Sequence, residues 1–263
     1  MIAEHPVQRE TMRGRFITFE GGEGTGKSTQ ITHLADALRE QGIDVVVTRE
    51  PGGSPGAEIL RHVILSGAAA PLGSLTEAML FAAARNDHLE CKIRPALARG
   101  SWVLCDRFAD STRVYQGAAG HVEPSLIDAL ERITVGDTKP DLTLVLDVPA
   151  EMGLERAAKR RGRDKADRFE AEDLQFHETL RAAFRRLAER ESARCALIDA
   201  RDAEDAVAKR IWSIVQLRLL RKDSGRSDAA NNSSDASAGA KSGSNTEMKA
   251  ASGATAVAKK QAS

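Results

Sequence analysis

The sequence predicts an α/β fold, a five-stranded parallel sheet flanked by helices, and three observations predict it. Five short runs rich in β-branched and apolar residues alternate with stretches whose apolar residues recur at helical spacing, the pattern of a parallel sheet covered on both faces. The first of those runs ends in the glycine cluster "GGEGTG", a sharp strand-to-helix turn. At 263 residues the chain is also long enough to bury one large core.

The elements follow in order. "RFITFE" (15–20) reads as a buried strand, and Lys27 to Gln41 as a helix with Ile31, Leu34, Ala35 and Leu38 on one face and Gly42 as its stop. "DVVVTR" (44–49) is a second strand closed by the turn-forming "EPGGSPG". Helical patterns occupy about 56–66 and 75–98, before a third strand, "SWVLCD" (101–106). A helix over about 124–135 leads to "LTLVLDV" (142–148), followed by helices over 150–161 and about 171–191. "CALIDA" (195–200) and a helix over 203–220 complete the sheet and its cover. Crossovers should be right-handed, with ligands bound at the strands' carboxyl ends. The domain this defines is 15–221, after a short extension (1–14). Beyond it, residues 222–263 are rich in Ser, Ala and Gly and too poor in large apolar side chains to offset their ordering entropy, which predicts a disordered tail.

Composition narrows the function classes. Basic and acidic residues balance at 38 each, so no global field favours nucleic acid or a membrane surface. No apolar run is long enough to span a bilayer, and "MIAEHPVQRETMRGR" lacks the apolar stretch of an export signal. Cys91, Cys105 and Cys195 lie far apart, which argues against a metal cluster or disulfide framework and for a reducing cytoplasm.

The most specific signal is Gly21-Gly22-Glu23-Gly24-Thr25-Gly26-Lys27-Ser28, followed by Thr29: a G-x-x-x-x-G-K-[ST] motif between a strand and a helix. Its glycines let successive N–H groups wrap an anion at a helix N-terminus, Lys27 reaches the β/γ phosphates, and the Ser28 hydroxyl can hold Mg²⁺. A carboxylate at a strand end should assist the metal. Asp106 and Asp147 both qualify; Asp106 is preferred because Arg107 follows it, whereas Asp147 could simply cap the next helix.

A triphosphate site serves switches, motors and kinases alike. "TKPD" (138–141) resembles a guanine-binding element but precedes its strand, putting Asp141 at the wrong end of the sheet. A kinase for small acceptors needs a second anion site and a cationic flap. Arg49 and Arg107, at two strand ends, could clamp an acceptor phosphate. The lid candidate is "AKRRGRDKADRFE" (158–170), with Arg160, Arg161, Arg163 and Arg168, which could exclude water and neutralise the transferring group. His33, His62 and His177 lie in predicted helices and read as surface or boundary residues.

From about Arg15 to Leu220, "FEGGEGTGKST", "TREPGG", "LFAAAR", "DRFADSTRVYQG" and "RRGRDKADRFE" occur in an order and spacing that resembles the bacterial thymidylate kinases, P-loop nucleoside monophosphate kinases that use MgATP to convert dTMP to dTDP. The resemblance implies that Glu23 contacts the deoxyribose 3′-hydroxyl, that Arg49 and Arg107 bind the monophosphate and that Asp106 lies near the metal. It implies Phe81 stacked on thymine with Arg85 donating to O4, and Ser111 and Thr112 helping to bind the base. Tyr115 would crowd C2′ against a ribose hydroxyl, and Gln116 would add a polar contact. Some members carry an arginine where this chain has Gly24; those without it place basic residues in the lid, here Arg160 or Arg163. A homodimer is implied too; the Ala-rich 75–98 helix could supply a flat packing face for it, or pack its small residues inside one subunit. Phosphoryl transfer would be in line, with ATP and dTMP as the small-molecule partners. Two readings stay open: a looser pyrimidine acceptor site that accepts dUMP, and a nucleotide-dependent switch.

Overall fold

The structure, a computed structural model, describes residues 13–162 and 168–220. Arg163, the segment 222–263 and most of the N-terminal extension lie outside the described residues. Five parallel strands, β1 (Phe16–Glu20), β2 (Val45–Arg49), β3 (Trp102–Asp106), β4 (Leu142–Asp147) and β5 (Cys195–Asp199), form one sheet in the order β2-β3-β1-β4-β5. The chain leaves β1 past β3 and leaves β3 past β1, so the switch point lies between these neighbours. A crevice opens there at the carboxyl ends.

β1 is buried along its whole length, which is why it reads as a continuous apolar run rather than an alternating one. Ile17 and Phe19 pack with α1 (Lys27–Glu40) and α9 (Glu204–Val215) through Ile31, Leu34, Leu38, Val207 and Ile211. Phe16 faces the opposite layer with Leu89, Ile93, Val103 and Phe108. Thr18, on that same face, shares a 2.8 Å hydroxyl hydrogen bond with Thr143 of β4. At the far end of the sheet Asp141 accepts the Phe16 N–H at 2.8 Å. The "TKPD" run is therefore a turn pinning the amino-terminal edge, away from the crevice.

The helical layers contain α2 (Pro55–Leu65), α3 (Ser74–His88), α4 (Arg94–Ala98), α5 (Ala109–Thr112), α6 (Pro124–Thr134), α7 (Ala150–Arg161) and α8 (Leu174–Arg190). Three features depart from the sequence reading. The 75–98 helix widens into a π turn over Leu89–Ile93. Pro95 follows four residues after Cys91, and its ring would meet that carbonyl in a regular helix; the wider turn relieves the clash. A helical segment unmarked by the sequence pattern, α5 with a π continuation over Arg113–Ala119, fills the gap after β3. The helix expected at about 171 begins at Leu174, because Asp173 caps it by accepting the Phe176 N–H at 2.8 Å.

His177 is a correction. It is buried, on the stripe of α8 that continues through Leu180, Phe184 and Leu187, and its Nε2 has no hydrogen-bond partner among the described residues. His62 is exposed and His33 half-buried, as boundary residues. Asp147 does not cap α7: its carboxylate is held by Arg181 at 2.8 and 3.2 Å and by Arg185 at 2.6 Å. No single helix among the described residues is long and apolar enough to cross a membrane.

Candidate active site

Three loops leave the carboxyl edge of the sheet beside the crevice, and backbone bonds tie them together. The Arg107 N–H donates to Phe19 O and the Glu50 N–H to Asp106 O, both at 2.9 Å. After β1 the P-loop enters α1 through Gly26, whose φ of 91° only glycine adopts without strain. Gly24, at φ 63°, packs against α7: a Cβ there would lie 1.9 Å from Gly153 O, and one on Gly153 would lie 2.4 Å from Glu23 O. The small residue at position 24 is thus required by backbone contact with the helix that leads into the lid.

Within the loop, Lys27 is folded back. Its Nζ donates to Gly22 O at 2.7 Å and Gly21 O at 3.3 Å. Burial, and then the nearby Arg107 cation, lower its pKa to about 8 despite the neighbouring carboxylates. An arriving phosphate would supply the charge partner that the loop carbonyls only partly replace. Ser28 Oγ donates to Asp106 Oδ2 at 2.8 Å, joining the two residues nominated for the metal. Among the described residues no cluster of three or more His, Cys, Asp or Glu could cage an ion. Magnesium needs none here: it takes one or two protein oxygens and completes its shell with phosphates and water, so this hydroxyl–carboxylate pair fits it.

Across the crevice, Arg107 has φ 65°, an uncommon value outside glycine that costs on the order of 1–3 kcal/mol and marks a position held by its surroundings. Its guanidinium donates to Gly21 O at 3.0 Å, Ser111 Oγ at 3.2 Å and Glu23 Oε1 at 2.6 Å, and lies 5.1 Å from the Tyr115 ring centre. Tyr115 Oη donates to the same Glu23 oxygen at 3.0 Å. Burial alone would raise the Glu23 pKa, but Arg107 and Lys27 override it and hold the carboxyl at about 2. Glu20, below them, accepts the Phe108 N–H at 2.8 Å and the Ser111 hydroxyl at 2.6 Å, anchoring the loop that carries Arg107. Burial, then Asp110, push its pKa up to about 8 against those donors.

A cavity of about 410 Å³ runs from the P-loop into the space between α2, α3 and the Arg113–Ala119 segment. Glu23, Gly24, Thr25, Gly26, Lys27, Ser28 and Thr29 line it on one side, with Asp106 and Arg107. Arg49, Phe81, Ser111, Thr112, Tyr115, Gln116 and Arg160 line the rest. The π turn brings Tyr115 and Gln116, consecutive residues, both to the buried side. Gln116 Oε1 is buried and has no hydrogen-bond partner among the described residues. Arg49 is not bare: Glu58 accepts from it at 3.0 and 3.2 Å. Arg160 and Arg161 converge on Glu170, at 3.2 and 2.8 Å.

Two sets of predicted residues lie elsewhere. Gly21 and Gly22 face a small second cavity behind the P-loop. Arg85 sits behind the wall of the main cavity, 3% exposed, donating through Nε to Glu50 at 2.8 Å and through Nη2 to Phe108 O and Thr112 Oγ1 at 3.2 and 3.1 Å. Sequence reasoning missed Glu50, Arg61, Leu65, Phe169 and Glu170 as lining residues. Phe169 stood inside the quoted lid run; its ring is edge-on to Tyr115 at 5.3 Å and 6.3 Å from Phe81. A lone aromatic in a basic run was the available signal. Arg61 and Leu65 carried none, since their helix shows only an ordinary amphipathic pattern.

A P-loop facing a second, arginine-bearing pocket across the switch point of a parallel sheet is the architecture of a nucleoside monophosphate kinase. The family model for thymidylate kinase matches residues 19–211. The chain is 60% identical over 219 residues to the thymidylate kinase of Bradyrhizobium diazoefficiens, covering 83% of this chain and 96% of that one. It is 57% identical over 222 residues to that of Nitrobacter winogradskyi, covering 84% and 96%. The crystal structure of thymidylate kinase from Ehrlichia chaffeensis superposes with a TM-score of 0.64 at 33% identity, covering 78% of this chain and all of that one. The chain belongs to the thymidylate kinase family.

Proposed function

We propose that this protein transfers the γ-phosphoryl of MgATP to dTMP, giving dTDP and ADP. The observation that carries the reading is the position of Arg107, bonded at once to the P-loop carbonyl of Gly21 and to Glu23, at the junction between the phosphate cradle and the Phe81–Gln116 half of the cavity. A cation there can bind the acceptor phosphate and share the charge of the group in transit.

The residues divide the work. The P-loop amides and Lys27 hold the β/γ phosphates; Lys27 exchanges its loop carbonyls for phosphate oxygens. Ser28 and Asp106 would hold Mg²⁺, which when bound supplies charge neutralisation on the phosphates. Arg49 and Arg107 take the acceptor phosphate, Arg49 by turning from Glu58. Phe81 offers its face to thymine; Arg85, which sits behind the wall, would have to bring its Nη1, which takes part in none of the bonds above, through to the cavity to donate to O4. Ser111, Thr112 and Gln116 add polar contacts to the base. Glu23 accepts the 3′-hydroxyl, and Tyr115, held by Glu23, crowds C2′. The acceptor is an anion near neutral pH, so no base is required, and the rate comes from in-line positioning and charge. Closing the lid would bring Arg160 or Arg163 to the transferring group, Arg160 releasing Glu170, and exclude water.

The same reading places the enzyme in the cytoplasm as a homodimer. Its alanines Ala78, Ala82 and Ala84 on α3 are buried, so the exposed Ile59, Leu75 and Met79 of α2 and α3 are the residues that support a packing face. To test the reaction, the protein is incubated with MgATP and dTMP and the nucleotides are separated by anion exchange. Equal amounts of dTDP and ADP are expected; ADP formed without dTDP would overturn the reading.

A further inference from the structure

Behind the acceptor half of the cavity lies a chain of buried polar groups that the reaction does not use directly. Glu50, first residue after β2, divides its carboxylate. Oε2 accepts from Arg85 Nε at 2.8 Å, and Oε1 faces His88 Nδ1 at 3.1 Å. His88 Nε2 lies 2.7 Å from Thr48 Oγ1. The side chains of Glu50 and Arg85 are each 4% exposed and that of His88 is wholly buried. A carboxylate oxygen can only accept, so His88 donates from Nδ1 to Glu50, and its Nε2 pairs with the Thr48 hydroxyl on the other side of the ring. Phe81, Arg85 and His88 are spaced i, i+4, i+7 on α3 and share one face.

The loop after Glu50 is moulded on this pair. A Cβ on Gly53 would lie 2.5 Å from both His88 Nε2 and Thr48 Oγ1, so the loop backbone rests directly on their hydrogen bond. The Gly53 N–H then donates to Glu58 Oε1 at 2.8 Å, and Glu58 holds Arg49. One imidazole thus stands behind two acceptor ligands: Arg85 through Glu50, and Arg49 through the Gly53 loop.

We infer that His88 is a positioning residue for the acceptor, setting the geometry of Arg85 and Arg49 without touching substrate, and so governing acceptor affinity separately from that of the donor. The inference rests on the proposed roles of those two arginines. With His88 lost, Glu50 keeps one partner and can swing, and the guanidinium of Arg85 is no longer held square to the base. The hydrogen bond involved is charge-assisted, so its loss is worth about tenfold or more in acceptor binding.

The test is steady-state kinetics with each substrate varied in turn. His88→Phe should raise the dTMP KM about tenfold or more while the ATP KM stays within about twofold. His88→Gln, whose amide can donate to Glu50 and accept from Thr48, should restore most of the acceptor affinity. Thr48→Val, a milder change should His88→Phe fail to fold, should raise the dTMP KM about threefold with the ATP KM unmoved. Arg85→Lys is the control on the underlying reading. If it raises the dTMP KM while Thr48→Val and a folded His88→Phe do not, the positioning role is overturned and the base-reading role stands. If Arg85→Lys also leaves the dTMP KM unchanged, the base-reading assignment is what fails. Equal rises in both KM values would reduce His88 to a general structural residue and overturn the inference.

Discussion

Replacing Glu23 with glutamine removes one charge and keeps the shape, and the structure fixes what should follow. Glu23 Oε1 accepts from Arg107 at 2.6 Å and from Tyr115 Oη at 3.0 Å, with 16% of the side chain exposed. Its pKa lies at about 2 against an ordinary 4.5. That difference favours the folded carboxylate by about 3 kcal/mol near pH 7, an upper figure for what the substitution removes, because Gln still offers an amide oxygen. The folded pKa is depressed, so the contribution is fully present above the unfolded value and is lost as pH falls from about 4.5 through about 2. The stability gap between wild type and Glu23→Gln should therefore be widest near neutrality. By about pH 3.5 it should shrink to roughly 2 kcal/mol. Urea unfolding of both proteins at a series of pH values, followed by near-UV circular dichroism, reads the gap directly. A gap that is absent near pH 7, or that widens on acidification, would refute the charge coupling between Glu23 and Arg107.

Four further outcomes are expected. Lys27→Ala should lower kcat by about a thousandfold or more while leaving the unfolding midpoint close to wild type, read by single-turnover phosphoryl transfer and thermal melting. Gly24→Arg should destabilise the protein, because a Cβ at that position would lie 1.9 Å from Gly153 O and φ is 63°; a melting temperature equal to wild type would contradict the described packing. Arg160→Ala combined with Arg161→Ala should cost kcat about tenfold or more with little change in stability, since Arg160 lines the cavity and Arg161 shares its partner Glu170; unchanged kcat would remove α7 from the transfer step. Leu38→Ala, in the fully buried layer between α1 and the sheet, should cost about 2–5 kcal/mol in urea unfolding and leave both KM values alone.

The sequence made the sheet and the phosphate cradle legible because both are local. Five apolar runs announce five strands, and G-x-x-x-x-G-K-S between a strand and a helix announces the P-loop. Asp106 could be paired with Ser28, 78 residues away, because a carboxylate at a strand's end must reach the crevice. What stayed hidden depends on contacts between distant elements. The helix at Ala109–Ala119 has few large apolar residues to set a period, and its π turn buries Tyr115 and Gln116 together, which no regular spacing encodes. Glu50 looked like a turn residue; its role appears only when α3 brings Arg85 and His88 against it. His177 was misread because a polar type outweighed its position on the Leu180–Phe184–Leu187 stripe, where periodicity alone would have buried it.

Acceptor-dependent ADP release is the most direct measurement of the central claim. With MgATP fixed, coupled release is compared for dTMP, dUMP, UMP, dCMP and no acceptor. The account predicts strong stimulation by dTMP, weaker stimulation by dUMP, and almost none by UMP, whose 2′-hydroxyl would meet Tyr115. Release of ADP at one rate whatever acceptor is present would contradict it, leaving the P-loop as a nucleotide site and Arg49 and Arg107 without an acceptor.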